Sequence, residues 1–248
     1  MLICRSKLAL SNLISYRAQF RGISASHATF IPPLRFYIFT SYFVHIPYIH
    51  ITIDMSAPFG NALAAIDAAH ALDPNKTTVE GKEIPYELLY AQKCTTYLSK
   101  RLPNASEALQ LAIRAQHFRR WEIPRSNFPQ TRIGYHSWRT HLKKRQASLV
   151  EQICIQSGYD KDFAERVGSI MRKEDYKSDE EAQVLEDVAC LVFLDDQFAE
   201  FERGLDEEKV VNILKKTWGK MSERGHELAL GIPMSERCLG LVKKALEG

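Results

Sequence analysis

The stretch that most constrains this chain is Val184–Leu194, VLEDVACLVFL, whose seven residues from Val188 onward are all apolar. It lies in a helical stretch that opens at the capping residue Asp179 and closes at Gly204. A helix that is apolar on every side has no face to give to water, so other elements must surround it. The chain therefore has to build a bundle around this segment. Glu186 and Asp187 sit at its entrance and are carried toward the interior with it. A buried carboxylate without a partner costs several kcal/mol. The candidate partners are His117, one of Arg114, Arg119 and Arg120, or a metal ion. Two readings follow: a salt bridge locking two helices, or a functional site.

Helical punctuation runs through the rest of the chain. Residues 57–72 are alanine-rich and amphipathic and stop at Asp73-Pro74. A linker with Thr77, Thr78 and Gly81 follows. Pro85 starts a helix that reaches about Arg101, and Pro103 breaks it. Asn104 and Glu107 form a capping-box-like start for a helix to Trp121. Pro124 and Pro129 make 122–133 a loop. A long helix spans about Gly134 to Ser157. Asp160, Asp179, Asp206, Ser222 and Ser235 each read as an N-cap for a later helix. No segment alternates polar and β-branched residues over a strand's length. The pattern predicts an all-α bundle of about seven to nine helices.

The chain's basic excess is local. Residues 1–54 carry Arg5, Lys7, Arg17, Arg21 and Arg35 against one acid, Asp54, while the remaining 194 residues hold 28 basic and 29 acidic groups. A near-neutral body is not the footprint of a general nucleic-acid binder. The organisation expected is an N-terminal extension over 1–54, an N-terminal helix and linker over 55–82, and a helical domain over 83–248. The extension reads as a disordered leader, or as a targeting peptide, since 1–30 are Ser- and Arg-containing and free of acids. Its uncharged run 36–53 is a poor membrane span, interrupted by Pro47, His45 and His50. Met55 also reads as a start. The localisation expected is cytoplasmic, or mitochondrial if 1–54 is a leader. The five scattered cysteines, with no CxxC pair, read as reduced and mostly packed.

Within the body, residues 114–145 hold nine basic groups and one acid, with His117, Trp121, Tyr135 and Trp138 among them, whereas 160–208 hold 17 acids and six bases. The two stretches are either faces that partly neutralise one another, or a basic aromatic pocket against an acidic wall. His117 shares a helical face with Arg114 and Trp121 at spacings of three and four. Arg125 in the proline loop suits a bidentate grip on a phosphate. Glu87, in the first turn of the Pro85 helix, serves the helix dipole or ligates a metal. No GxGxxG, P-loop, GxSxG or HExxH is present.

Three segments carry a resemblance: IRAQHFRRWEIPR (113–125), EAQVLEDVACLVFLDDQF (181–198) and KVVNILKKTWGKMSERGHELAL (209–230). They resemble the domain-of-unknown-function family 4202, over about 80–248. Proteins of that family often carry the label glutamyl-tRNA synthetase. This chain has no predicted parallel sheet to frame HIGH and KMSKS signatures; His45-Ile-Pro-Tyr48 and Lys220-Met-Ser-Glu-Arg224 stand in other settings. A more distant similarity is to HD-domain metal phosphohydrolases. Leu109–Phe118 is similar to their HD-bearing helix, and the stretch 166–195 to their helix, loop and aspartate-bearing helix. The His-Asp doublet is missing, and Lys173 stands where a second histidine would be expected.

The resemblance implies an HD-like fold and a divalent-metal-dependent phosphohydrolase acting on a nucleotide or phosphorylated metabolite. His117 and Asp187 would be catalytic. His117, Asp187, Glu186 and Glu87 would hold the metal (Mg, Mn or Fe). Arg114, Arg119, Arg120, Arg125 and Trp121 would bind the anion. The competing reading is a non-catalytic module for a nucleotide, RNA or a protein partner, with no role at a membrane.

Overall fold

The computed structural model describes residues 57–247, and they form an all-α body. The expectations for residues 1–54 lie outside the described residues. Among the described residues, no helix is long and apolar enough to cross a membrane.

The elements are α1 (Pro58–His70), β1 (Lys76–Val79), β2 (Lys82–Pro85), α2 (Tyr86–Arg101), α3 (Glu107–Arg114), α4 (Arg132–Gln156), α5 (Lys161–Arg172), α6 (Glu180–Val192), α7 (Phe198–Arg203), α8 (Glu207–Trp218), α9 (Glu223–Leu230) and α10 (Glu236–Glu247). A π turn, Phe193–Gln197, joins α6 to α7. The described residues therefore form nine continuous helical rods.

Most caps fall where the sequence places them. Asp160 accepts from the Phe163 amide at 2.8 Å, Asp206 from Lys209 at 2.9 Å, Ser222 from Gly225 at 3.1 Å and Ser235 from Cys238 at 3.2 Å. Each satisfies one of the unpaired amides of a first helical turn, worth about 1 kcal/mol. One start differs. Ser106, not Asn104, caps α3, accepting from Leu109 at 3.1 Å, and its hydroxyl also bonds Glu181 in the first turn of α6. The second contact ties the start of α3 to α6 and sets it two residues later.

The linker holds a small hairpin that the sequence pattern did not suggest. Lys76 pairs with Pro85 and Val79 with Lys82, around Glu80 and Gly81. Both turn residues have positive φ, 50° and 79°. A two-residue turn with φ positive at both positions matches the twist of a hairpin. Glu is an uncommon occupant of the first position, which is why the turn was hard to read.

The core fills the space between the helices. α4 packs on α5, α2 on α6, α3 on α5, and α8 on α10, while α1 lies against α2, α3 and α4. Ala62 and Ile66 of α1 are buried with Leu109, Leu111 and Ile113 of α3. α6 is enclosed as its composition requires: Val184, Leu185, Val188, Leu191 and Val192 are all buried. Burial pushes the thiols of Cys94, Cys154 and Cys190 up to about 12. Such thiols are packed and protonated, not nucleophiles.

Candidate functional site: a basic cavity at the His117 turn

α3 ends at Arg114, not at Trp121 as its pattern suggests. Two contacts stop it. His70 of α1, fully buried, donates from Nε2 to the Arg114 carbonyl at 3.0 Å. Phe118 turns into the core against the His70 ring, edge-to-face at 5.4 Å between centroids. Burying that ring contributes roughly 1.5–3 kcal/mol. The chain beyond Arg114 tightens into bonds of the three-residue type, such as Arg120 N to His117 O at 2.9 Å. His117 (φ 64°) and Arg119 (φ 49°) take the left-handed conformation. For residues with a Cβ, this conformation costs of order 1 kcal/mol and is held only by surrounding contacts. Glu87 supplies one: its Oε1 accepts the Trp121 amide at 3.1 Å, and its Oε2 lies 3.4 Å from His70 Nδ1. One buried pair thus grips both ends of the turn.

The turn points Gln116, His117 and Arg120 into a cavity of about 80 Å³. α4 adds Arg139, Lys143 and Gln146, and the C-cap of α5 adds Lys173. Lys173 also has φ 57°. Leu142, Met171 and Leu185 are the apolar part of the wall. No acidic side chain lines this cavity.

The electrostatics follow from that composition. Arg120 donates to His117 Nε2 at 3.0 Å. Because a guanidinium cannot accept, His117 carries its proton on Nδ1. The His117 ring also stacks on Tyr90 at 4.1 Å. Burial, with Arg120, Arg139 and Lys173 nearby, holds the His117 pKa well below its usual value, so the ring is neutral. Burial and then Arg139 lower the Arg120 pKa. Burial, Lys173 and Arg139 do the same to Lys143. Among the described residues, Arg120, Arg139 and Lys143 form no ion pair; Lys173 pairs with Glu186. Burial pushes the Glu186 carboxyl up, but Lys173 and Lys220 outweigh it and hold it below its usual range.

Gln116 and Gln146 are the neutral amide residues of the cavity lining. Gln116 is 9% exposed and Gln146 8%, and neither side-chain Nε2 has a hydrogen-bond partner. A buried, unmet donor costs roughly 1–3 kcal/mol. Here both lie on the wall of a space large enough to hold a ligand.

The remaining residues singled out from the sequence are placed elsewhere or otherwise engaged. Arg114 forks onto Asp67, at 2.6 and 2.8 Å. Arg119 pairs with Glu122, which also takes Arg145. Arg125 donates to the carbonyls of Phe128, Pro129 and Thr131 and so fastens the proline loop. Trp121 contributes its backbone amide to Glu87, and its indole nitrogen is buried without a partner. Trp121, Tyr135 and Trp138 are the aromatic side chains that an RNA-binding reading would stack on bases; Trp138 is buried, donates to the Ile123 carbonyl at 2.9 Å and is covered by Arg120, 4.7 Å from the ring centroid, while Tyr135 is exposed.

Asp187 is fully buried, and its partners are none of those the sequence suggested. Arg101 of α2 donates to it at 2.7 Å, the Ser222 amide at 2.8 Å, the Ser222 hydroxyl at 2.5 Å and Gln183 at 3.0 Å. It ties α2 and the start of α9 to α6. The four expected metal donors are thus divided: Asp187 with Arg101, Glu186 with Lys173 and Lys220, Glu87 with His70 and Trp121, and His117 with Arg120. Among the described residues, no group of three or more His, Cys, Asp and Glu side chains could hold a metal ion. These residues do not fit the expected metal.

The sequence reading passed over Gln116, Arg139, Lys143 and Gln146. The last three are spaced four and three apart along α4, which places them on one face, and that spacing was the available signal.

The family described as a domain of unknown function (DUF4202) matches residues 60–242, which include every element that builds this cavity. The chain belongs to that family. No curated protein and no solved structure matches it.

Proposed function

We propose that the His117 cavity binds the phosphoryl group of a small phosphorylated molecule. The observation that carries this reading is the pairing of two buried, unmet amide donors with four cationic side chains on a wall without acids. Every polar group offered, apart from the glutamine carbonyls, is a donor. The complementary ligand is rich in acceptors and multiply charged, which describes a phosphoryl group better than a carboxylate. Arg120 and Arg139 suit oxygens two at a time, and Lys143 and Lys173 act as point charges.

Binding is favoured over metal-dependent hydrolysis because each candidate metal carboxylate already has protein donors. It is favoured over RNA because Trp138 is shut in and Arg114, Arg119 and Arg125 are engaged within the fold.

The test is calorimetric titration of the full chain with orthophosphate at fixed ionic strength. Saturable binding is expected, weakened about tenfold or more in Arg139→Gln, in line with the 1.5–3 kcal/mol of a charged hydrogen bond. Absence of binding, or equal binding by the variant, overturns the reading.

A further inference from the structure

We infer that the ligand group is a diphosphate rather than a single phosphate; this rests on the phosphoryl-binding reading above. Charge gives the first reason. Arg120, Arg139, Lys143 and Lys173 line the cavity. Among the described residues, the one carboxylate paired with any of them is Glu186, which is shared between Lys173 and Lys220. Arg120, Arg139 and Lys143 therefore have no ion-pair partner among the described residues. A phosphomonoester brings about −1.5 to −2 near pH 7, and a second phosphoryl group takes the total to about −3.

Space gives the second reason. A cavity of about 80 Å³ is several times the roughly 10–15 Å³ that a single water needs. Two joined phosphoryl groups fill more of that space than one does. Donor placement gives the third. Gln116 with Arg120 comes from the His117 turn, while Arg139, Lys143 and Gln146 come from α4. The turn and α4 thus each contribute a guanidinium and a glutamine to the lining, which suits two joined phosphoryl groups.

The shared chemistry is the diphosphate group, either as free pyrophosphate or as the end of an ester. The test is titration of the full chain with inorganic pyrophosphate, orthophosphate and a nucleoside diphosphate at fixed ionic strength. Pyrophosphate is expected to bind at least tenfold more tightly than orthophosphate, and Lys143→Gln to shrink that preference. Among the described residues Lys143 forms no ion pair, so this variant should keep the fold. A nucleoside diphosphate binding as well as pyrophosphate supports the ester source, and weaker binding supports the free anion. Orthophosphate binding as tightly as pyrophosphate overturns the diphosphate inference and leaves the phosphoryl-binding reading intact. Failure of all three anions to bind overturns that reading itself.

Discussion

Arg120 donates to His117 Nε2 across 3.0 Å, and this bond fixes the proton of the imidazole on Nδ1. The contact makes a cation the immediate neighbour of a titratable ring. Together with burial, it keeps His117 neutral well below the usual histidine pKa. The consequence for stability has a definite sign. Between the depressed folded pKa and about 6.5, the unfolded chain binds a proton that the folded chain does not, so stability falls as pH drops through that window. Histidine NMR signals followed from pH 8 downward should show His117 without a midpoint at or above 6.5. Saturating phosphate should raise its midpoint by offsetting the cations. A normal midpoint without ligand contradicts the placement.

The same crowding of cations makes affinity and stability move in opposite directions. Lys173 and Arg139 repel Lys143, Glu186 offsets this only in part, and among the described residues neither Arg139 nor Lys143 forms an ion pair. Lys143→Gln should leave the ligand-free protein unchanged or up to about 0.5 kcal/mol more stable, given the small value of partly exposed charge interactions. It should also weaken phosphate binding. Urea unfolding with and without phosphate measures both effects on one sample. A variant that loses stability without ligand would contradict this account.

Asp187 is predicted to be a structural residue. Asp187→Ala removes the acceptor of Arg101, of the Ser222 amide and hydroxyl, and of Gln183. Breaking a buried pair at one partner costs about 3–5 kcal/mol. Having no partner in common with the cavity, it should leave the phosphate affinity of the folded protein within about twofold of wild type. Thermal unfolding and titration at low temperature separate the two readouts. Loss of binding by a folded variant would return Asp187 to the site.

Glu87 is predicted to position the His117 turn through the Trp121 amide. Glu87→Ala leaves that amide without its acceptor, a loss of about 1–3 kcal/mol, and should weaken phosphate binding. Glu87→Gln keeps an acceptor oxygen and should retain most of the affinity. Equal binding by the two variants would show that the amide contact does not shape the cavity.

The helices were legible because local chemistry decides them: side-chain oxygens at Asp160, Asp179, Asp206, Ser222 and Ser235, and breakers at Pro103 and Gly204. The enclosure of α6 was legible from its apolar run. The end of α3 was not, because His70 and Glu87, distant in sequence, stop it. The site was half legible. The histidine and arginine cluster marked the turn, but only tertiary packing decides that Arg120 enters the cavity while Arg114 reaches Asp67. The partners of Glu186 and Asp187 were missed for the same reason. Lys173 reaches Glu186 from a left-handed C-cap, and Arg101 reaches Asp187 from another helix.

Gln116 and Gln146 line the proposed phosphoryl site, and the NMR signals of their side-chain amides report whether it fills. The two side-chain NH2 pairs can be assigned by their disappearance in Gln116→Leu and Gln146→Leu. Adding phosphate at constant ionic strength should shift both pairs along one saturable curve, sharing a single dissociation constant. If neither pair moves while exposed glutamine signals drift with the salt, the cavity does not bind phosphoryl groups.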